Sequence, residues 1–207
     1  KVLIKAGSIV NQATNTSGAS PLLIASANGN LDLVKVLIEA AGNVNQTNKT
    51  GASPLYIASQ NGNVDTVKVL LKEGGNVNQA RTDDGTTPLW IASQKENVDI
   101  VKLLLKEGGN VNQAKTDDGT SPLYIASQEG HVATVKALID VGGNVNQLNQ
   151  QKVTPVIIAS LQGQTEVVRL LVQQPNIDLD KIAAGKSALG HAKNNEIIQL
   201  LTNAGAK

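Results

Sequence analysis

Apolar and polar positions follow a helical rhythm along this chain, broken at regular intervals. Residues 53–78 show one full cycle. Ser53 is a good helix N-cap, and Pro54 suits the first helical position, where its missing N–H leaves nothing unpaired. A short first helix is expected through Leu55, Ile57 and Ala58. Asn61-Gly62 ends it, because Gly readily takes the left-handed conformation of a helix stop. A second helix is expected from near Val64. Val67, Leu70 and Leu71 fall at i, i+3 and i+4 as one apolar stripe, with Asp65, Lys68, Lys72 and Glu73 on the other face. Gly74-Gly75 ends that helix, and Asn76-Val77-Asn78 leads into a polar turn before Thr87-Pro88. Each cycle therefore reads helix, tight turn, helix, extended finger.

The cycle repeats. Pro21, Pro54, Pro88, Pro122 and Pro155, each after Ser or Thr, are spaced 33, 34, 34 and 33 residues apart, and Ser187-Ala188-Leu189 follows as a degenerate copy. Asn43 to Gln46 recurs in phase as Asn76 to Gln79, Asn110 to Gln113 and Asn144 to Gln147. A period in this range means a solenoid of stacked units. Neither helix can bury its stripe alone, and helices this short are marginal in isolation. Neighbouring copies supply the missing surface. The small pairs Ala25-Ser26, Ala58-Ser59, Ala92-Ser93, Ala126-Ser127 and Ala159-Ser160 would let adjacent first helices approach closely.

Composition agrees with thin layers. The 207 residues are 41% apolar but only 1% aromatic, with one Trp, two Tyr and no Phe. Such a core must be packed from Leu, Ile, Val and Ala. Eighteen basic residues against 17 acidic give a net charge of +1, without the basic excess of an electrostatic nucleic-acid binder. No cysteine is present, which excludes disulfides, thiolate metal sites and Cys nucleophiles. No apolar run approaches the ~20 residues of a membrane span.

The repeated Ser/Thr-Pro-Leu-x-Ile-Ala-Ser, then Gly-Asn or Gly-His131, then the apolar helix and Gly-Asn-Val-Asn, resembles the ankyrin repeat. The resemblance covers essentially the whole chain. It implies an all-α fold, an ankyrin-repeat solenoid of stacked helix-turn-helix units with β-turn fingers, forming a single domain over 1–207. Repeats are expected at about 15–47, 48–80, 82–114, 116–148 and 149–180. Residues 1–12 read as the tail of a further, partial repeat, from Val2-Leu3-Ile4-Lys5 and Val10-Asn11-Gln12, so more chain is expected upstream. Residues 181–207 read as a C-terminal capping repeat, where Lys193 and Thr202 enter positions that are small or apolar elsewhere. Repeat five departs at Gln174-Pro175, in place of Gly-Gly, and at Lys152, in place of the finger Gly.

No catalytic arrangement stands out. His131 occupies the family's Gly-His position, which implies a structural role, and His191 lies in the degenerate last unit. Two separated histidines make no zinc site. The glycines recur at the repeat period and do not gather into a phosphate loop. No metal, cofactor or enzymatic activity is expected.

Binding candidates cluster in the central repeats. Tyr56, Trp90 and Tyr124 all follow Ser/Thr-Pro-Leu, on the first helix. Two readings of that slot stand: rings packed between fingers and helices, or rings offered to a partner. Gln60, Gln94 and Gln128 share a slot near the end of the same helix. Two fingers are near duplicates. One carries Arg81, Asp83 and Asp84; the other carries Lys115, Asp117 and Asp118. Their paired acids would form a rim that repels phosphate and suits a Lys- or Arg-bearing partner. Lys35, Lys68, Lys102 and Lys136 recur on the second helix with acids close by, a mixed-charge solvated face. The resulting expectation is a non-catalytic protein–protein interaction module, a scaffold binding through its concave face and fingers. Alanine at Trp90, Asp84 and Asp118 would weaken binding while the fold survives. The alternative is a regulatory or spacer segment of a longer multidomain enzyme or effector. A monomer is expected, with no nucleic-acid or membrane partner, in cytoplasm or nucleus.

Overall fold

A computed structural model describes residues 10–207. The expected second-helix remnant at Val2 to Lys5 lies outside the described residues. The chain divides into two compact units, residues 1–109 and 110–207. In the first, three helix pairs follow in order: α1 (Pro21–Ala27) and α2 (Leu31–Glu39), α3 (Pro54–Gln60) and α4 (Val64–Lys72), α5 (Pro88–Gln94) and α6 (Val98–Lys106). In the second come α7 (Pro122–Glu129) and α8 (Val132–Asp140), α9 (Pro155–Gln162) and α10 (Thr165–Val172), a 3-10 turn (Leu189–His191) and α11 (Asn195–Asn203). No strand is present among the described residues; one isolated bridge joins Ala183 and Lys186.

Local chemistry sets these boundaries. Ser53 is extended at φ −86°, and its Oγ accepts from the Tyr56 N–H 3.1 Å away. Ser20, Thr87, Ser121 and Thr154 cap their helices in the same way, each with Pro next. Within each unit, first helices pack on first helices and second helices on second: α1, α3 and α5, then α2, α4 and α6 in one unit; α7 with α9, and α8, α10 and α11, in the other. Ala58 and Ala92 are fully buried, as are Ala126 and Ala159, so the small residues sit in the packed interior. The layer core is Leu55, Val67 and Leu70, repeated as Leu89, Val101 and Leu104, all buried.

Two slots held by glycine in most repeats carry charged residues once each. The inter-helix turn has Gly29, Gly62, Gly130 and Gly163 at positive φ, and Glu96 at 57°. The finger has Gly18, Gly51, Gly85 and Gly119, and Lys152 at 61°. A left-handed non-Gly residue costs about 1–2 kcal/mol, partly offset by the entropy a glycine would lose on folding. Lys152→Gly should therefore stabilise the protein by about 0.5–1 kcal/mol, raising the melting temperature by a few degrees in a calorimetric scan. In the last repeat Ala188 replaces proline, and the first helix shrinks to the 3-10 turn. His191 there is held by the Ala183 carbonyl, 2.9 Å from its Nε2.

Candidate partner-binding fingers

Each finger starts from an asparagine that ties it to the next repeat. Asn45 Oδ1 accepts from the Asn76 N–H at 2.7 Å, and its Nδ2 donates to the Gly74 carbonyl at 3.0 Å. Asn112 and Asn146 repeat both bonds in the second unit, to Asn144 and Gly142, and to Asp178 and Asn176. Gln79 Nε2 donates to the Asn45 carbonyl at 3.2 Å, and Gln147 Nε2 to the Asn112 carbonyl at 3.0 Å. The Asn-Val-Asn-Gln motif is thus an amide ladder that sets where each finger springs from. Recurrence made it visible in the sequence, but only as a lead into a turn.

Two kinds of finger grow from this base. In the short kind, Asn48 Oδ1 accepts from the N–H groups of Thr50 and Ala52 and closes the loop; Asn149 does the same for Gln151 and Val153. In the long kind, the place of that asparagine is taken by Thr14 in the first finger, whose N–H donates to Ala19 O, and by the cations Arg81 and Lys115 in two others. The backbone identifies the slot, since Asn48 N–H donates to Ala52 O, and likewise Arg81 to Thr86 and Lys115 to Thr120. A cation cannot accept the tip N–H groups. The acid three residues on does so instead. Asp84 Oδ1 accepts from the Thr86 N–H at 3.0 Å and hydroxyl at 2.6 Å; Asp118 accepts from Thr120 at 2.8 and 2.6 Å. The long loop needs one extra residue, which is the origin of the 34-residue spacings.

Ion pairs lock the two long fingers that carry a cation. In the first unit Arg81 binds Asp83 and reaches Asp84 at 3.7 Å. Its guanidinium lies 5.5 Å from the centre of the Tyr56 ring and donates to the Tyr56 hydroxyl at 3.4 Å. Burial works against the Arg81 charge, but the hydrogen bonds to Tyr56 and Asp83 outweigh it and hold the pKa above the usual arginine value. Gly51 of the neighbouring finger lets the chains meet: a Cβ there would lie 2.2 Å from Thr82 N, whose N–H donates to the Thr50 carbonyl.

In the second unit Lys115 lies 3.2 Å from Asp117 and 3.5 Å from Asp118. Burial pushes the Asp118 carboxyl up, but its bonds from Thr120 and the nearby Lys115 outweigh this and hold it below the usual range. Burial, and then the Asp118 charge, push the Tyr124 phenol up. A depressed folded-state pKa gives stability that is present above the unfolded value and lost as pH falls through the folded one. An NMR titration of the Asp118 carboxyl should therefore show a midpoint below about 3.9, with the finger amides Asp118–Thr120 moving together with it.

The expected site residues fall into distinct places. Tyr56, Trp90 and Tyr124 are buried, at 2, 6 and 6% exposure. For Tyr56 the first of the two readings matches its placement, with the ring packed under the finger and its hydroxyl 3.4 Å from Thr86 Oγ1. Asp84 and Asp118 shape the loops from inside, so alanine there would alter the finger itself and not only a contact surface. Asp83 and Asp117, with Thr82 and Thr116, are the exposed tip residues. Gln60 and Gln94 in the first unit and Gln128 in the second are half-buried at the ends of their helices, with Gln128 donating to Glu129 at 3.1 Å. His131 caps α8, its N–H bound to the Ala126 carbonyl. On the second helices Lys68 pairs with Asp65 at 3.0 Å, and a shallow groove of about 330 Å³ between α4 and α6 is lined by Val64, Lys68, Asp99, Lys102, Leu103 and Lys106. Among the described residues no group of three or more His, Asp or Glu side chains could hold a metal. No described helix is long and apolar enough to cross a membrane.

Helix pairs with capping Pro turns, stacked through small residues and joined by hydrogen-bonded fingers, define an all-α repeat protein. A family model described as ankyrin repeats, three copies, matches residues 1–81, 74–149 and 134–207. The chain belongs to the ankyrin repeat family, whose members are generally protein-interaction modules and typically non-catalytic. No curated protein matches it.

Proposed function

We propose that the chain is a non-catalytic module that recognises a protein partner through its fingers and the adjoining ends of its first helices. The two long fingers that hold a cation, at Arg81 and Lys115, would carry the recognition. One observation bears most of the weight: among the described residues these two loops exchange the closing asparagine for a cation, and each is then locked by its own ion pairs. A loop already ordered before binding loses little conformational freedom on contact. Thr82 and Asp83 stand exposed on one tip, Thr116 and Asp117 on the other. Their carboxylates suit Lys or Arg side chains of the partner and disfavour phosphate backbones. Tyr56 contributes by supporting Arg81, and Gln60, Gln94 and Gln128 offer amides beside the fingers.

The test uses the chain as bait, then measures the captured protein against variants. Asp83→Ala with Asp117→Ala should weaken binding about tenfold, since each exposed charge contact is worth a few tenths to about 1 kcal/mol. Circular dichroism should stay unchanged. Affinity equal to that of the parent chain would remove the finger reading.

A further inference from the structure

The groove between α4 and α6, both in the first unit, carries opposite charges toward its two ends. Asp99, Leu103 and Lys106 fall at i, i+4 and i+7 on α6, so they line one helix face in that order over about 10 Å. Lys68 and Lys102 add two more cations to the lining. A second hollow, of about 270 Å³, shares Val64 and Asp99 with the groove and continues it to the turn before α6, where Glu96 and Asn97 line it. Glu96, Asp99, Lys102 and Lys106 are exposed, while Val64 and Leu103 are half-buried. Along the chain the lining reads two acids, then Leu103 between two lysines. Two features set this place apart. The slot of Lys72 and Lys106 holds Glu39 on α2, Asp140 on α8 and Gln173 at the end of α10. Glu96 keeps φ 57° in a turn where Gly29, Gly62, Gly130 and Gly163 stand in other repeats. A left-handed glutamate is strained where glycine would not be, and backbone strain of this kind collects at binding sites. Helix dipoles favour acids early and lysines late on both helices, but Asp99 already supplies the acid in the first turn of α6, so they give no reason for Glu96.

We infer that this groove binds an extended peptide segment whose side chains run from a cation, through a large apolar residue, to a pair of carboxylates. The cation meets Glu96 and Asp99, the apolar side chain rests on Val64 and Leu103, and the carboxylates reach Lys102 and Lys106. About three extended residues cover the span from Asp99 to Lys106. Such a peptide is complementary at both ends of the groove. A nucleic-acid strand, with phosphate throughout, would set negative charge against Glu96 and Asp99. This surface therefore takes acidic side chains, opposite to the preference of the finger tips, and it does not depend on the finger reading. A contact of a few side chains is small and weak, so it would not survive the washing of a capture experiment, and the two readings fail separately.

Fluorescence anisotropy with two short labelled peptides tests this, at low salt and with the whole chain up to about 1 mM. One peptide carries arginine, leucine and a pair of glutamates in that order; the other has glutamine in place of the arginine. The first should bind about threefold more tightly than the second, the worth of one exposed charge contact. Lys102→Glu with Lys106→Glu should weaken the first about tenfold or more, since both contacts turn repulsive. Both residues are exposed, so circular dichroism should stay unchanged. Lys136→Glu, in the Lys102 slot of α8, should bind as the parent does. Glu96→Gly should raise the melting temperature by a few degrees and yet cut the advantage of the arginine peptide to less than about twofold. No binding at about 1 mM, or binding untouched by the Lys102 and Lys106 changes, overturns the inference. An arginine advantage that survives Glu96→Gly in full overturns it too. So does an oligouridylate strand that binds as tightly as the first peptide and displaces it, because the lysines would then take any polyanion.

Discussion

Asn45→Ala should destabilise the first unit by about 2 kcal/mol, although the residue is neither catalytic nor in the apolar core. Its side chain makes two bonds across the repeat boundary, one accepted from Asn76 N–H and one donated to the Gly74 carbonyl. Each is worth about 1 kcal/mol net, and alanine would lose both at once. Asn45→Asp discriminates further. It keeps the acceptor and loses the donor, so about half the loss is expected. Neighbouring layers share the load in a repeat protein, so the effect should spread to the adjoining repeat. Denaturant unfolding gives the total. Hydrogen exchange should show faster opening at Asn76–Gln79 than in the parent. A loss below about 0.5 kcal/mol would mean that water replaces the ladder at little cost.

Ala58→Leu carries the other large effect. Ala58 is fully buried on α3, which packs on both α1 and α5. Three added carbons have no void to enter, and the helices must move apart or the side chain leave its rotamer. About 3 kcal/mol is expected, the upper part of the range for overpacked cores. Ala58→Gly removes volume instead and should cost only about 1 kcal/mol, mostly helix propensity. If leucine proved as mild as glycine, close approach of the first helices would not be what fixes the layer spacing. The same reasoning accounts for the scarcity of aromatic rings: thin layers hold Ala, Ser, Leu and Val, and Tyr56 finds room only at the edge, under a finger.

Period and capping make the fold legible in the sequence. Ser53-Pro54, Asn61-Gly62 and the stripe of Val67 and Leu70 each act within a few residues, and local signals of that kind survive in sequence. The fingers were harder to read, because their closure depends on hydrogen bonds that skip along or between repeats. A pair of adjacent acids gives no sign that Asp84 turns inward to Thr86 while Asp83 stays at the tip. Arg81 resembles any surface charge until its slot is matched to Asn48. The extra residue behind the 34-residue spacing was present in the arithmetic, and only the backbone pairing of Arg81 with Thr86 gives it meaning. Likewise the amide ladder was visible as a motif, but its bonds span about one repeat, from Asn45 to Asn76, beyond any local pattern.

Recognition by the two ion-paired fingers is tested most directly by hydrogen exchange on the chain, free and bound to its captured partner. Slowed exchange at residues 82–86 and 116–120, with the second helices α4 and α6 unchanged, is the expected result. Slowing confined to Val64–Lys72 and Val98–Lys106, with both finger tips unaffected, would contradict it.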